Sequence, residues 1–306
     1  MRKIVSIIVI VFILYVIGHF SEDEEVVTEP LDVHVNESIT ETPAPTPRED
    51  VVATYPVQET EEFITATEKE WRDLFPSVYN RAKQAIFNEE TQFHFRLDEI
   101  HPEDLLAMLE EMITNSRRDT YITQWQYETY GMDGTATLIY EKSPEERAKE
   151  RQWVQEKVKE IVQEKMHPSM SDREKVRAAH DSLVLHTAYK EEALVCEGCY
   201  PDVYTAYGAL FHGEAVCDGY TKAMVLLLDA VGIENYYVVG EGNGQAHSWN
   251  LVKVDDTYAH VDVTWDDPIP DRPGKISYDY FLVPENKLYG HAWVVEDYPR
   301  TSTGQL

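Results

Sequence analysis

The sequence predicts an α+β protein in which two folded parts follow an N-terminal segment. Apolar residues recur at helical spacing in several separate stretches. Other stretches alternate in polarity and are separated by short turns, as in antiparallel strand pairs. The most apolar helix pattern begins at Cys217 and directly precedes such strands. The hydrophobic share of 43% in 306 residues is enough for a substantial core.

Residues 1–20 have the pattern of an export signal, with a basic start followed by an apolar run from Ile4 to Ile17. The run reaches 17 residues if it is counted from Ile4 through Phe20, and a full membrane span needs about 20. We expect an uncleaved signal anchor, which makes the chain a single-pass protein of the cell membrane with its C-terminal domains outside. Secretion after signal cleavage is the alternative, and the terminal position disfavours a buried core helix.

Residues 21–67 are acidic and rich in proline and threonine, with few aromatic residues. Such a composition cannot bury enough apolar surface to fold, so we expect a disordered linker between the membrane and the folded part. The formal net charge of the chain is -29. This charge excludes nucleic acid as a partner, because little in the chain would replace the counterions of phosphates. It also disfavours binding to an anionic membrane surface.

Residues 68–141 predict a small α+β domain that carries no candidate chemistry. Its lone His94 and His101 are interpreted as structural or solvated residues. The predicted elements are a helix over 68–87 interrupted near Pro76, a strand over 92–97, a helix over 102–113, and a hairpin of strands 121–130 and 135–140 around 131–134.

Residues 142–306 form the second predicted domain. His180 and His186 lie six positions apart, which is a poor spacing for sharing a metal. The predicted elements are helices over 144–166 and 172–186, a helix from Cys217 to about Gly232, and strands over 236–239, 246–254 and 257–265.

The three cysteines divide into a Cys-x-x-Cys pair, Cys196 and Cys199, and the separate Cys217. Outside the cytoplasm such a pair can close as a disulfide. A zinc site needs four ligands, and no second Cys-x-x-Cys or paired histidine completes one. A disulfide or free thiols are therefore favoured over a metal, and we expect no cofactor.

Cys217 is the candidate nucleophile. In the first turn of a helix its sulfur meets free backbone N–H groups and the positive end of the helix dipole, and both favour the reactive thiolate. Gly213 and Gly219 leave room for the turn and for a substrate. The alternative is a structural cysteine buried at a helix start.

His247 and Asp262 are the candidate partners of Cys217. A two-residue turn at 255–256 pairs Val254 with Thr257, and this register places Asp262 opposite Trp249. His247 and Asp262 then share one face as diagonal neighbours, roughly 7–8 Å apart at the backbone. The carboxylate can orient the imidazole, whose other nitrogen faces the thiol. In the competing interpretation His247 only fills space among core aromatic residues.

The donors for an oxyanion are less specific in the sequence. The backbone N–H of Cys217 is the default donor, and Tyr204 and Tyr207 are candidates for the second. Trp249 and Trp265 are candidates for the lining of a substrate groove. All four aromatic residues can alternatively serve as packing residues.

Residues 207–220, 244–250 and 260–268 together resemble the transglutaminase-like superfamily, in particular its bacterial extracytoplasmic members. A later piece at 278–283, with His291 and Trp293, resembles the closing strand region of the family, so the resemblance covers residues 170–300. It implies a papain-like α+β core in which a helix carrying the cysteine packs on an antiparallel sheet carrying the histidine and the aspartate.

By this resemblance Cys217 is the nucleophile, His247 the general base and acid, and Asp262 the orienting residue, without a metal. Acyl transfer through a thioester ends with water or with an amine. Calcium-dependent transglutaminases carry additional domains that this sequence lacks, so we expect hydrolysis of peptide or isopeptide bonds in the cell envelope. Protein cross-linking and a non-catalytic surface binding module are the alternatives.

Overall fold

The computed structural model describes residues 66–196 and 198–301, all of which belong to one compact unit. The predicted signal anchor at 1–20 and nearly all of the predicted linker at 21–67 lie outside these residues. Across the described ranges, no helix combines the length and the apolar character that a membrane crossing requires.

The N-terminal elements form a three-stranded antiparallel sheet covered by helices around a hydrophobic core of their own. Pro76 ends one helix and begins the next, because proline is tolerated only in the first turn. The elements are α1 (Ala66–Leu74), α2 (Pro76–Phe87), β1 (Gln92–Arg96), α3 (Pro102–Thr114), β2 (Ile122–Tyr130) and β3 (Asp133–Tyr140), and the strand order is β1-β3-β2. Tyr130 pairs with Asp133, so the hairpin loop is shorter than the predicted 131–134.

Three longer helices build the second core. α4 (Pro144–Lys165) and α5 (Asp172–His186) each begin with a capping box, made by Ser143 with Glu146 and by Ser171 with Glu174. These reciprocal hydrogen bonds satisfy N–H groups that the first helical turn leaves free. α6 (Cys217–Ala230) is buried along most of its length, and its apolar side chains pack between the other two helices and the sheet.

A five-stranded antiparallel sheet packs on α6. Its strands are β6 (Asn235–Gly242), β7 (Gln245–Val254), β8 (Thr257–Val261), β9 (Phe281–Val283) and β10 (His291–Trp293), in the order β10-β6-β7-β8-β9. Two short parallel strands, β4 (Ala188–Tyr189) and β5 (Glu214–Ala215), lie outside it. Irregular chain between β4 and β5 includes a π-helical turn over Gly208–His212 and a disulfide between Cys196 and Cys199.

The register of the central hairpin is the predicted one. Val254 pairs with Thr257 and Asn250 with Val261, and Asp255 and Asp256 form the turn with φ angles of 50° and 61°. The predicted third strand is wrong beyond Val261, because Asp262 leaves the sheet. It caps α7 (Val263–Asp266) by accepting the backbone N–H of Trp265 at 3.1 Å, a role for which aspartate is well suited.

Candidate active site

Cys217 is the first residue of α6, and its side chain is partly exposed. The preceding Val216 is extended, and its N–H donates to the carbonyl oxygen of Val203. Gly219 lies so close to this segment that an added Cβ would be 2.5 Å from the same oxygen. The absent side chain therefore lets the chain before the π-helical turn lie against the start of the cysteine helix.

Asp218 ties the start of α6 to the sheet. Its Oδ1 accepts hydrogen bonds from the hydroxyl of Tyr237 on β6 at 2.6 Å and from that of Ser248 on β7 at 2.9 Å. Ser248 also lies 3.2 Å from the hydroxyl of Thr221, one turn further along the helix. Since Ser248 directly follows His247 in β7, this network fixes the cysteine helix beside the strand that carries the histidine.

His247 joins the other two predicted residues. Its Nε2 lies 2.7 Å from Oδ2 of Asp262, and Cys217 interacts with the ring closely enough to affect the pKa of His247. Burial on its own lowers the pKa of His247, but the hydrogen bond to Asp262 and the interaction with Cys217 outweigh this effect and raise the pKa to about 10. The geometry therefore favours a protonated imidazole beside the buried Asp262 carboxylate.

Asp262 is completely buried. Burial on its own raises the pKa of Asp262, but hydrogen bonds from His247 and His291 outweigh it and hold that pKa below its ordinary value. Together with the N–H of Trp265 on Oδ1, these donors satisfy the carboxylate as an acceptor. A buried carboxylate with this set of donors stays ionised.

The two predicted groove tryptophans enclose the His247 ring. The ring centroids lie 5.3 Å from Trp265 and 5.7 Å from Trp249, both in stacked orientations. Trp249 is only 1% exposed, and its Nε1 donates to Nδ1 of His260 at 3.0 Å. The assignment of Trp249 to an open groove is therefore corrected: it is a core residue that supports the histidine from within.

The two predicted oxyanion tyrosines have different surroundings. Tyr207 stacks on Phe211 and contacts Trp153, beside α4 and the π-helical turn. Tyr204 is 38% exposed, and its carbonyl oxygen accepts from Lys222 on α6.

Tyr189 is a neighbour of the site that sequence reasoning missed. Burial raises the pKa of Tyr189 to about 12, and the charges of Cys217, Tyr204 and Asp262 add to this. The hydroxyl of Tyr189 therefore stays protonated at neutral pH. Its signal in the sequence is weak, because a tyrosine before the Cys-x-x-Cys loop has no recognisable spacing from Cys217.

His291 is the other residue that sequence reasoning left without a role. It lies on β10, its side chain is buried, and its Nε2 is 2.9 Å from the same Asp262 oxygen that His247 contacts. The ligand atoms of His247, Asp262 and His291 lie within 4.8 Å of one another, the arrangement best suited to a metal among the described residues. Both histidines are already satisfied by Asp262, so this group is complete through its own hydrogen bonds.

A second buried histidine–aspartate pair fixes α7 from the opposite end. Nε2 of His180 lies 3.1 Å from Oδ2 of Asp266, and its Nδ1 lies 2.9 Å from Asp181. Burial on its own lowers the pKa of His180, but the two carboxylates raise it above its ordinary value. His180 therefore holds the short helix that presents Asp262.

Residues 155–263, which include Cys217, His247 and Asp262, match the family model of the transglutaminase-like superfamily. The chain contains a transglutaminase-like core. Enzymes related to cysteine peptidases belong to this superfamily, as do transglutaminases.

Two solved structures are similar to this chain. One is a TGase, with 18% identity over 47% of this chain and 44% of its own, and a TM-score of 0.35. The other is a protein from Cytophaga hutchinsonii provisionally classed as a cysteine protease, with 14% identity over 56% of this chain and 65% of its own, and a TM-score of 0.32. The chain thus spans less than two thirds of either structure. No curated protein matches it significantly in sequence.

Proposed function

We propose that this protein is a thiol enzyme that transfers acyl groups through a thioester on Cys217 and hydrolyses peptide or isopeptide bonds. The observation that carries the proposal is the position of His247, whose Nε2 bonds to the buried carboxylate of Asp262 and whose ring interacts with Cys217. Orientation of the imidazole by a buried carboxylate is the arrangement that activates a nucleophilic side chain.

The proposed reaction begins with attack of the Cys217 thiolate on the carbonyl carbon of the substrate. The oxyanion accepts the backbone N–H of Cys217, and the partly exposed Tyr204 is the candidate second donor. His247 gives its proton to the leaving amine as the C–N bond breaks, which leaves a thioester. Water then attacks the thioester, His247 takes up the proton, and Cys217 leaves again as thiolate.

A primary amine is the alternative acceptor for the same thioester, and the product is then a new amide bond. The formal charge of -29 would draw cationic lysine side chains towards the protein, and the amine would attack the thioester after it loses its proton.

Mass spectrometry of a glutamine-containing peptide, incubated with and without a primary amine, divides the two reactions. We expect conversion of glutamine to glutamate, or cleavage of the peptide, at a rate that the amine leaves unchanged. Incorporation of the amine in preference to water would instead assign cross-linking. Cys217→Ala is the matched control and is expected to abolish both products.

Alkylation of Cys217 separates the enzymatic proposals from a non-catalytic binding module. We expect iodoacetamide at neutral pH to modify Cys217 faster than a free cysteine peptide and to block turnover. If Cys217 reacts only as fast as the peptide and Cys217→Ala keeps its function, the protein is a binding module and not an enzyme.

We further propose that the enzyme acts in the cell envelope, held at the membrane by residues 1–20. The support is the basic start and apolar run of the sequence. N-terminal sequencing of protein from membrane and medium fractions tests this. A mature chain that begins after residue 18 and is found in the medium would replace the anchor by a cleaved signal.

A further inference from the structure

His291 reaches the site from a strand that does not neighbour the one carrying His247. β6 lies between β10 and β7, and adjacent strands are about 4.8 Å apart. The two imidazole centroids are nevertheless only 5.3 Å apart. His291 pairs with Gly242 and His247 with Gly240, so no β6 side chain separates the two rings.

Both ring nitrogens of His291 face oxygen acceptors. Nε2 lies 2.9 Å from Oδ2 of Asp262, and Nδ1 lies 3.1 Å from the backbone carbonyl oxygen of Tyr289. Neither a carbonyl oxygen nor an ionised carboxylate can donate a hydrogen bond, so each nitrogen must carry a hydrogen. These two contacts therefore suit the imidazolium form of His291, which has a hydrogen on each nitrogen.

The charges of the site alternate when His291 is included. They run from the Cys217 thiolate through the His247 imidazolium and the Asp262 carboxylate to the His291 imidazolium, and they sum to zero. A buried site tolerates paired charges far better than an uncompensated one. At the same time, a second cation on the same Asp262 oxygen opposes the protonation of His247.

We propose that His291 is a positioning residue that holds Asp262 against His247 and limits how strongly Asp262 stabilises the protonated His247. This rests on the proposed function, in which Cys217 and His247 form a thiolate–imidazolium pair. The consequence is that His247 holds its proton firmly enough to form the ion pair and still gives it to the leaving amine. Asp262 alone would bind the imidazolium proton too firmly for transfer to a leaving amine, and the His291 cation makes that transfer easier.

Besides His247 and Asp262, the titratable groups His260 and Tyr280 lie near His291. Both stay neutral through the neutral pH range. Burial and the neighbouring His291 charge lower the pKa of His260 on β8 to about 3. Burial raises the pKa of Tyr280, whose ring centroid lies 5.5 Å from that of His291. A change in the pH profile of the site on substitution of His291 therefore reports on Cys217, His247 and Asp262.

The test compares the alkylation of Cys217 by iodoacetate and by iodoacetamide across pH. The anionic reagent is favoured while the imidazole beside the sulfur is protonated, and the neutral reagent does not sense this charge. The pH at which the rate ratio falls thus marks loss of the His247 proton. His291→Gln keeps an N–H donor and removes the cation, and His94→Gln is the control at an exposed position of β1.

We expect His291→Gln to move the midpoint upward by at least about half a pH unit, the size of a like-charge interaction at this separation in water, and His94→Gln to leave it unchanged. A purely structural residue would lower both rates without moving the midpoint. An unchanged or lower midpoint in His291→Gln would overturn the proposal.

Histidine nitrogen NMR tests the charge of His291 directly in the wild-type protein, so this test does not depend on the activity of a variant. We expect both nitrogens of His291 to be protonated at pH 7, and a neutral tautomer would overturn the proposal. Assignment follows from the signals lost in His291→Gln or His291→Phe. The two proposals fail differently: wild-type Cys217 that reacts no faster than a free thiol contradicts the thiol enzyme, whereas fast reaction with an unmoved midpoint contradicts only the role of His291.

Discussion

The chemistry of single residues in the site depends on Asp262, which accepts three hydrogen bonds while completely buried. Sequence reasoning identified His247 and Asp262 as hydrogen-bonded neighbours because both lie near one hairpin whose register follows from a two-residue turn. It could not identify His291, which is 29 positions from Asp262 in the sequence and belongs to a three-residue strand. The sequence contains only an indirect sign of His291. Two glycines of β6, Gly240 and Gly242, stand where a strand ordinarily carries side chains.

Asp262→Asn keeps one acceptor oxygen for three N–H donors, so its amide N–H faces either the two imidazoles or the N–H of Trp265. Because donors then face donors, His247 turns or changes tautomer, and we expect the rate of acyl transfer to fall by about 10³–10⁴-fold. Stopped-flow measurement with an activated ester checks this. Asp266→Asn is the matched control at the other end of α7, where the carboxylate bonds to His180. It is expected to affect stability more than rate. Equal losses of rate in both variants would contradict the claim that Asp262 orients His247 for catalysis.

The raised pKa of His247, at about 10 against an ordinary value of 6.5, links stability to pH. The folded protein binds the proton more tightly than the unfolded chain, so this stabilisation is complete below pH 6.5 and is lost as pH rises through about 10. The difference in unfolding free energy between wild type and His247→Asn should therefore shrink across that window in urea titrations. The pKa of His260 is lowered to about 3, so its stabilisation is lost in the opposite direction, as pH falls. A His247→Asn difference that grows with pH would contradict the assigned charge state.

At the level of secondary-structure elements, the site lies where the start of α6 packs against the neighbouring strands β10, β6 and β7. Helix and strand bounds were predictable where a cap, a proline or a turn marks them, as at Ser171, Pro76 and Asp255. The end of β8 was not, because the alternating pattern continues through Trp265 in the sequence. The preference of Asp262 for capping a helix competes with strand pairing, and the cap prevails where the carboxylate also meets two imidazoles. The sequence left Trp249 open between groove lining and packing, because its burial depends on the β10 residues that cover it.

Gly242 tests how much the site depends on the side-chain-free part of β6. An added Cβ would lie 2.9 Å from Cζ2 of Trp265 and 3.0 Å from the His247 ring. We expect Gly242→Ala to displace these rings, to cost about 1–3 kcal/mol of stability and to reduce the alkylation rate of Cys217 at least severalfold. Chemical denaturation and alkylation kinetics measure the two effects.

Gly244→Ala is the control for Gly242, in the turn two residues further on. Its φ is +79° and no atom lies within 4 Å of the added Cβ. It should cost about 1–2 kcal/mol through backbone strain alone and leave the reactivity of Cys217 unchanged. Equal losses of reactivity in the two variants would show that the space beside His247 is not what matters.

At the scale of the molecule, polar contacts connect the N-terminal core to the catalytic one. Arg117 bonds to Asp229 at the end of α6 with an N–O distance of 2.7 Å, and Asp119 accepts the backbone N–H of Ala206 at 3.1 Å. Asp119 also lies 3.9 Å from Lys222 of α6. The segment after α3 thus contacts the helix that begins at Cys217 at Asp229 near its C-terminal end and at Lys222 in its second turn. Composition and apolar patterns predicted the two folded parts. The contacts between them could not be predicted, because the types and spacing of these residues do not indicate that they meet.

Asp119 gives this connection a pH dependence. Burial raises the pKa of Asp119 to about 6, against the opposing effects of Lys222 and the Ala206 N–H. The folded state therefore binds the proton more tightly, and stability falls as pH rises from about 4 to about 6. We expect Asp119→Asn to match wild type near pH 4 and to exceed it at pH 7 by on the order of 2 kcal/mol. Urea denaturation across this range measures the difference, and a variant with the slope of the wild type would contradict it.

The central claim, that Cys217, His247 and Asp262 act together as an acyl-transfer site, is tested most directly by trapping the acyl-enzyme. Rapid quenching after mixing with p-nitrophenyl acetate, followed by intact and peptide mass spectrometry, locates and times the acetyl group. We expect a single acetyl on Cys217 in the wild type, formed at least about 10³-fold faster than in His247→Asn, and released by water. An acetyl group on other residues, or equal rates on Cys217 in the two proteins, would contradict it.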